Sequence, residues 1–201
     1  MRTVHPNARG FSLLEVMVAV VVICIGLLGI AKMQALSLST TNMSRQRSLA
    51  AIEAASMASA MHSNRRYWGA FATDFSVSIT GSPGTVASTD AALQAQTGAD
   101  LANLTACDGA ADGLPICGTS VNLAAYDLAR WWVNSVSKQL PNPTATVSCP
   151  ASPVGNAAPV SCTVQISWTE KAVAINANTA TQQAVGTSAS EQPVFTLYVE
   201  P

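Results

Sequence analysis

Glu15 is the residue with the clearest chemical role, because it is a single charge inside a long apolar run. Residues 11–31 read FSLLEVMVAVVVICIGLLGIA and contain no other charged side chain. A carboxylate inside a hydrocarbon span costs about 2.5–3.5 kcal/mol on insertion scales, so it marks a function and needs a positive partner. No Lys, Arg or His within the run supplies one. The alternative is that Glu15 lies near the lipid headgroups and extends toward water.

A positive partner would arise if the chain were cut between Gly10 and Phe11. The new α-amine would lie four residues before Glu15, which is about one helical turn. The amine of a neighbouring copy, displaced along its axis, would then meet this carboxylate. Residues 1–10 are short and polar, with two Arg and no acid, and no small-residue cleavage site closely follows the apolar run. Cleavage before the run would therefore leave the apolar helix on the mature protein.

The other titratable residues argue against an enzyme. His5 and His62 are the only histidines, so Ser–His or Cys–His catalysis and His-based zinc sites lack their residues beyond position 62. Residues 67–201 hold three Lys or Arg against nine acids, a balance that cannot neutralise many phosphates. A hydrolase built on a carboxylate pair is the weakest remaining alternative. We expect no catalytic residue, no cofactor, no metal and no nucleic-acid partner.

Four cysteines after the apolar run indicate disulfides and an oxidising location. Cys107, Cys117, Cys149 and Cys162 allow three pairings, and the local ones, 107–117 and 149–162, are favoured because each closes a Gly- or Pro-containing loop. Closing loops this short contributes about 3 kcal/mol each. A four-cysteine zinc site is the alternative, although the sequence has no C-x₂-C pair. An Asp-rich turn at 108–113 lacks two of the ligands of a calcium loop.

A long helix must carry Glu15. The 21 residues of the run suffice to cross one hydrocarbon core, and the cations before it favour a cytoplasmic start. Helix-forming residues continue without proline, which predicts one helix from about Phe11 to about Arg65.

The second half of this helix has an apolar stripe with spacings of three, four or seven residues. The stripe comprises Met33, Leu36, Met43, Ala50, Ala54, Met57 and Met61. The charged residues are expected mostly off the stripe. These are Arg45, Arg47, Glu53, Arg65 and Arg66. The four arginines among them are expected on a solvated face or against acidic heads of neighbouring subunits, the alternative being a basic patch for DNA or lipid headgroups.

From Tyr67 onward the sequence predicts an α+β head. Alternating apolar and polar residues predict strands, which form an antiparallel sheet with one polar face, packed on the long helix. The strands are expected over 74–80, 145–149, 160–169 and 195–199. A turn at 80–84, a short helix at 91–104 and a long loop at 171–193 complete the pattern. A further helix is expected from Asn122 to Leu140, with its adjacent tryptophans, 131 and 132, in the core.

The N-terminal residues resemble a known family. Gly10-Phe11-Ser12-Leu13-Leu14-Glu15 is similar to the type IV pilin leader motif, and residues 26–34 resemble those of PilV-type minor pilins. The type II secretion pseudopilin I is a close relative. The resemblance covers roughly residues 7–66. It implies that prepilin peptidase cuts after Gly10 and that the new N-terminal Phe11 is N-methylated, with Glu15 as the assembly carboxylate.

The resemblance also implies an organisation and a role. Residues 1–10 would be a cleaved leader, 11–32 the transmembrane assembly helix, 33–66 its amphipathic second half, and 67–201 a periplasmic head. The expected function is that of a minor pilin, anchored in the inner membrane and then exposed on the pilus. Its partners would be other minor and major pilins, the prepilin peptidase and the inner-membrane assembly platform. The alternatives are a secretion pseudopilin or a head that binds surfaces or DNA.

Overall fold

The computed structural model describes residues 12–98, 101, 107–109, 115–151, 160–170 and 192–201. The chain divides into two compact units, Met1–Asn42 and Met43–Pro201. The helices are α1 (Leu13–Ser63), α2 (Arg65–Trp68), α3 (Ala91–Thr97), α4 (Ser120–Trp131), a π-helical turn (Trp132–Val136) and α5 (Ser137–Gln139). The strands are β1 (Phe75–Thr80), β2 (Thr85–Ser88), β3 (Asp108–Gly109), β4 (Pro115–Ile116), β5 (Thr144–Cys149), β6 (Cys162–Ser167) and β7 (Val194–Val199).

The first unit contains the apolar part of α1. The predicted helix is confirmed from Leu13, whereas its predicted first residue, Phe11, lies outside the described residues. None of the 18-residue window that qualifies as a membrane span is buried by the chain itself. Apolar side chains exposed in this way must be covered by lipid or by other helices.

A five-stranded antiparallel sheet forms the second unit's main layer. The strand order is β2-β1-β5-β6-β7. The register pairs Val77 with Val147 and Val147 with Val164, so inward-facing residues lie side by side across the sheet. All four predicted strands are confirmed. β2 was not predicted, because it has only four residues, of which Val86 alone is buried.

The core lies between this sheet and the second half of α1. Ala50, Ala54, Met57 and Met61 are fully buried in the same core as the inward-facing residues of the strands. Their spacing of four, three and four residues places them on one helix face. The predicted α+β arrangement, a long N-terminal helix packed against an antiparallel sheet, is therefore confirmed.

The helix predicted at 91–104 is shorter than expected. Asp90 caps α3, and its Oδ1 accepts a hydrogen bond from the Ala92 amide at 2.9 Å. The helix ends at Thr97 because Gly98 adopts a positive φ of 59° while its amide bonds to the Gln94 carbonyl. A glycine with positive φ is a common helix stop, so the predicted helix does not continue through Gly98. Residues 99–100 and 102–104 of the predicted range lie outside the described residues.

The helix predicted from Asn122 begins two residues earlier. Thr119 is its N-cap, since its side-chain oxygen accepts a hydrogen bond from the Asn122 amide at 3.1 Å. Residues 132–136 widen into a π-helical turn, which the sequence did not predict. Trp131 and Trp132 are buried, and their indole groups donate to the backbone carbonyls of Glu53 (2.9 Å) and Gly81 (3.0 Å). Their predicted role in core packing is confirmed.

Candidate functional site

Glu15 lies in the first turn of α1. Its amide donates to the Ser12 carbonyl at 3.0 Å, and the Val16 amide donates to the same carbonyl at 3.3 Å. The carboxylate is exposed, and an acid near a helix N-terminus interacts favourably with the helix dipole. Gly10 and Phe11, the predicted processing site, lie outside the described residues. The structure thus presents the Glu15 carboxylate on the surface, where a partner can reach it.

The residues that follow Glu15 are apolar on every side of the helix. Leu14 is 72% exposed and Leu28 is also 72% exposed. A helix that is apolar all round and covered by nothing in its own chain is suited to hydrocarbon or to a bundle of similar helices. By length and composition, α1 is the one helix among the described residues that could cross a membrane.

Comparison with known families identifies this segment. The family described as "Prokaryotic N-terminal methylation motif" matches residues 5–31, which include Gly10, Phe11 and Glu15. Residues 5–31 therefore carry a prokaryotic N-terminal methylation motif. This motif is typical of type IV pilins and pseudopilins, and the long apolar helix packed against a five-stranded antiparallel sheet is a pilin-like α+β arrangement. Comparison with curated proteins and with solved structures gives no significant match.

Proteins of the pilin-like class share a typical role and a typical location. Its members are typically structural subunits without enzymatic activity, and an apolar N-terminal helix with this motif is typical of pilins anchored in the inner membrane. The match ends at residue 31, so the role of the head must be argued from its own residues.

Arg47 and Glu170 form an ion pair within the head unit. Arg47 Nε and Nη2 donate to the two carboxylate oxygens of Glu170, both at 3.1 Å. Glu170 is only 3% exposed, and its Oε1 also accepts a hydrogen bond from the Trp168 indole at 3.2 Å. Arg47 itself is 58% exposed, which agrees with the expected solvated face, and its guanidinium also pairs with an acid of its own chain. Arg47 attaches α1 to the residues that follow β6.

Glu53 is placed differently from the prediction. It was expected mostly off the apolar stripe, but it is only 5% exposed. Its Oε1 accepts a hydrogen bond from the Gln139 side chain at 2.9 Å, which lowers the cost of burying the carboxylate. Burial raises the pKa of Glu53, and the Gln139 hydrogen bond opposes this rise. Glu53 thereby connects α1 to α5.

The sequence contains a signal for the positions of the two buried acids, Glu53 and Glu170. Arg47 and Glu53 each lie three residues from Ala50, which places them beside the stripe on the same face of α1. Glu170 continues the inward alternation of β6, two residues after Trp168. The spacing of residues predicts which face of a helix or strand a side chain lies on, whereas the charge of these side chains alone had predicted exposure to solvent.

The structure contains the two disulfides that the sequence favoured. Cys149 and Cys162 join neighbouring strands β5 and β6, with their Cα atoms 4.1 Å apart. Cys107 and Cys117 flank the β3–β4 hairpin, with a Cα separation of 4.4 Å. Because each sulfur is bonded to another sulfur, these four residues do not provide the thiolates that a zinc site needs. Most of the Asp-rich turn between the first pair lies outside the described residues.

Asp127 lies at a shallow groove between α1 and α4. The groove is lined by Ser56 and Ala60 on one side and by Asp127, Trp131 and Asn134 on the other. Asp127 Oδ2 is buried and accepts no hydrogen bond from the described residues. Burial raises the pKa of Asp127 to about 6, although the charge of a nearby arginine opposes the shift.

Proposed function

We propose that this pilin-like chain is a PilV-type minor pilin, a structural subunit that joins or primes a type IV pilus after its leader is removed. The observation that carries the proposal is the methylation motif at residues 5–31, which includes the start of an apolar helix that its own chain leaves uncovered. In this role, prepilin peptidase cuts between Gly10 and Phe11 and methylates the new amine. The inner-membrane assembly platform then transfers the subunit from lipid to the fibre, where the head is exposed on the cell surface.

Assembly in this proposal depends on charge pairing in a low-dielectric environment. In the membrane, the Glu15 carboxylate lacks a positive partner from its own apolar run. The methylated α-amine of a neighbouring pilin would supply one, since the pairing of opposite charges stabilises both in a low dielectric. Lipid would be displaced at the same time by the apolar side chains of the neighbouring helices.

The first test is the mass of the mature protein. We expect intact-mass and peptide spectra of the chain isolated from its host to begin at Phe11, with one added methyl group on the amine. Gly10→Val should block cleavage and leave the chain starting at Met1. A wild-type chain that retains residues 1–10 would overturn the proposal.

The second test removes the carboxylate. Glu15→Ala should abolish incorporation into sheared fibres while the head remains folded, because the α-amine then has no partner. Glu200→Ala is the matched control, since it removes an exposed acid from the head. Normal incorporation of the Glu15→Ala chain would contradict the assembly role.

A third experiment, deletion of the gene, separates a pilus from a secretion pseudopilus. Both systems share the methylation motif, so cleavage and Glu15 dependence are expected in either. Deletion of the gene should abolish twitching and surface fibres if the chain serves a pilus. Loss of protein secretion with normal twitching would instead assign it to a type II secretion pseudopilus.

A further inference from the structure

The two edges of the five-stranded sheet differ in how their backbone groups are satisfied. At the β2 edge, the Gln94 side chain of α3 bonds to the strand: its Oε1 accepts from the Ser88 amide at 2.7 Å, and its Nε2 donates to the Val86 carbonyl at 3.3 Å. The Leu101 amide donates to the Gly84 carbonyl at 3.3 Å, directly before β2. An edge covered in this way cannot pair with a further strand.

The β7 edge has no such cover among the described residues. β7 pairs with β6, and the bond from the Trp168 amide to the Pro193 carbonyl (3.4 Å) shows which residues of the ladder face each other with their backbone groups. In an antiparallel ladder, every second residue directs its N–H and C=O away from the partner strand. In β7 these residues are Val194, Thr196 and Tyr198, and their outward groups have no hydrogen-bond partner in the part of the chain that the structure describes.

The inner side of the sheet is also less well covered along β7. Phe195 and Leu197 face inward, since they lie opposite Ile166 and Val164, which are fully buried. Both nevertheless remain partly exposed, whereas Val86, the inward residue of the other edge strand, is only 5% exposed. A strand added beside β7 would bury Phe195 and Leu197 further, which favours its binding.

A groove of about 600 Å³ lies beside these residues, between α1 and β7. Ala55 and Ser59 line it on the α1 side, and their small side chains leave space next to Leu197 of β7. His62 and Glu200 also border the groove. Because side chains of a strand alternate between the two faces of a sheet, every second side chain of an added strand would point toward this groove.

We propose that the β7 edge pairs with an extended strand of another protein, one that has apolar side chains at alternate positions. The outward N–H and C=O groups of β7 recur about every 6.8 Å, which matches the repeat of an extended backbone. The apolar side chains of the added strand would cover Phe195 and Leu197 and enter the groove. Glu200 follows β7 and is exposed, so its charge would stay in water at the end of the pairing. This pairing goes beyond the proposed function and does not depend on it.

The first measurement is amide hydrogen exchange, resolved by residue, in the full chain in detergent micelles. We expect the Thr196 and Tyr198 amides to exchange at least about tenfold faster than those of Phe195 and Leu197, because only the latter point toward β6. Slow exchange of Thr196 and Tyr198 in the chain alone would overturn the proposal. If light scattering then shows a doubled mass, a second copy occupies the edge, and otherwise the same chain covers it.

The second measurement adds a blocked synthetic peptide of alternating threonine and valine, as long as β7. We expect saturable binding that slows exchange of the Thr196 and Tyr198 amides at least about tenfold. Thr196→Pro removes one outward N–H without removing a bond to β6, and it should weaken binding at least about tenfold. Thr196→Ala is the matched control, because it shortens the same side chain but keeps the N–H, and it should bind as the wild type does.

Tryptophan fluorescence verifies that each variant is folded. The proposal is overturned if the peptide does not bind the wild-type chain, or if folded Thr196→Pro binds it as the wild type does. If Thr196→Pro does not fold, the exchange rates of the wild type with and without peptide decide the question. Failure of strand pairing leaves the proposed minor-pilin role intact, because that role is tested at Phe11 and Glu15.

Discussion

At the scale of single residues, Asp127 makes the stability of the head depend on pH. Burial raises its pKa from 3.8 to about 6, so the folded chain binds the proton more tightly than the unfolded chain. The resulting stabilisation is complete below about pH 3.8 and is lost as the pH rises through about 6. We expect Asp127→Asn to raise the free energy of unfolding at pH 7 by about 1–2 kcal/mol, and this gain to disappear near pH 4.

Tryptophan fluorescence measures this effect in the full chain, because the only four tryptophans lie at residues 68, 131, 132 and 168, all in the head. Unfolding curves for the wild type and Asp127→Asn at several pH values give the difference directly. Glu200→Gln, at an exposed acid, is the control. An equal gain at pH 4 and pH 7 would show that burial of the Asp127 charge is not the cause.

Position 84 requires glycine, because the structure leaves no room for a side chain there. A Cβ there would lie 2.5 Å from Cδ1 of Trp132, and its φ of +129° is one that other residues rarely adopt. The Trp132 ring cannot easily move, since it is fully buried and its indole bonds to the Gly81 carbonyl. We expect Gly84→Ala to lower the free energy of unfolding by about 2–4 kcal/mol. Gly118→Ala has open space and should change it by less than about 0.5 kcal/mol in the same denaturant titration.

At the scale of elements, the Arg47–Glu170 pair connects α1 to the end of β6. Removing Arg47 leaves the buried Glu170 carboxylate with the Trp168 indole as its remaining described partner. We expect Arg47→Ala to cost about 2–3 kcal/mol of unfolding free energy, less than for a fully buried pair because Arg47 is 58% exposed. Glu170→Gln in the same chain should recover part of this loss. Arg45→Ala, at an exposed position of the same helix, should have almost no effect, and a similar loss there would contradict the role of the pair.

A helix or strand could be predicted from the sequence where its apolar residues recur at regular spacing. The strands and the buried stripe of α1 were predicted because alternation and helical spacing report which side is buried. The end of α3 at Gly98 depends on one backbone conformation, and the π-helical turn at 132–136 breaks the helical period, so neither follows from periodicity. For the site, the motif around Glu15 was recognisable in the sequence, and the roles of Gly10, Phe11 and Glu15 stay predictions. The burial of Glu53 and Glu170 was missed because their compensating partners are distant in sequence.

At the scale of the whole molecule, the two units expose opposite kinds of surface. The apolar part of α1 leaves its side chains uncovered, whereas the head buries its apolar residues beneath a sheet whose outer side is mainly polar. The first surface requires lipid or other helices, and the second is compatible with water. In the proposed role, the environment of the N-terminal helix would change from membrane to fibre while the core of the head stays the same.

The stability of that core should depend on its two disulfides to different extents. They close loops of similar length, with sequence separations of 10 and 13 residues, so chain entropy assigns about 3 kcal/mol to each. Cys149 and Cys162 are fully buried between β5, β6 and α1, whereas Cys107 and Cys117 are partly exposed. Replacing the buried pair by serine also places two polar hydroxyls in the apolar core. We therefore expect Cys149→Ser/Cys162→Ser to lower the free energy of unfolding by about 2 kcal/mol more than Cys107→Ser/Cys117→Ser does. Denaturant titration of both double variants measures this difference, and equal losses would show that loop closure alone accounts for both bonds.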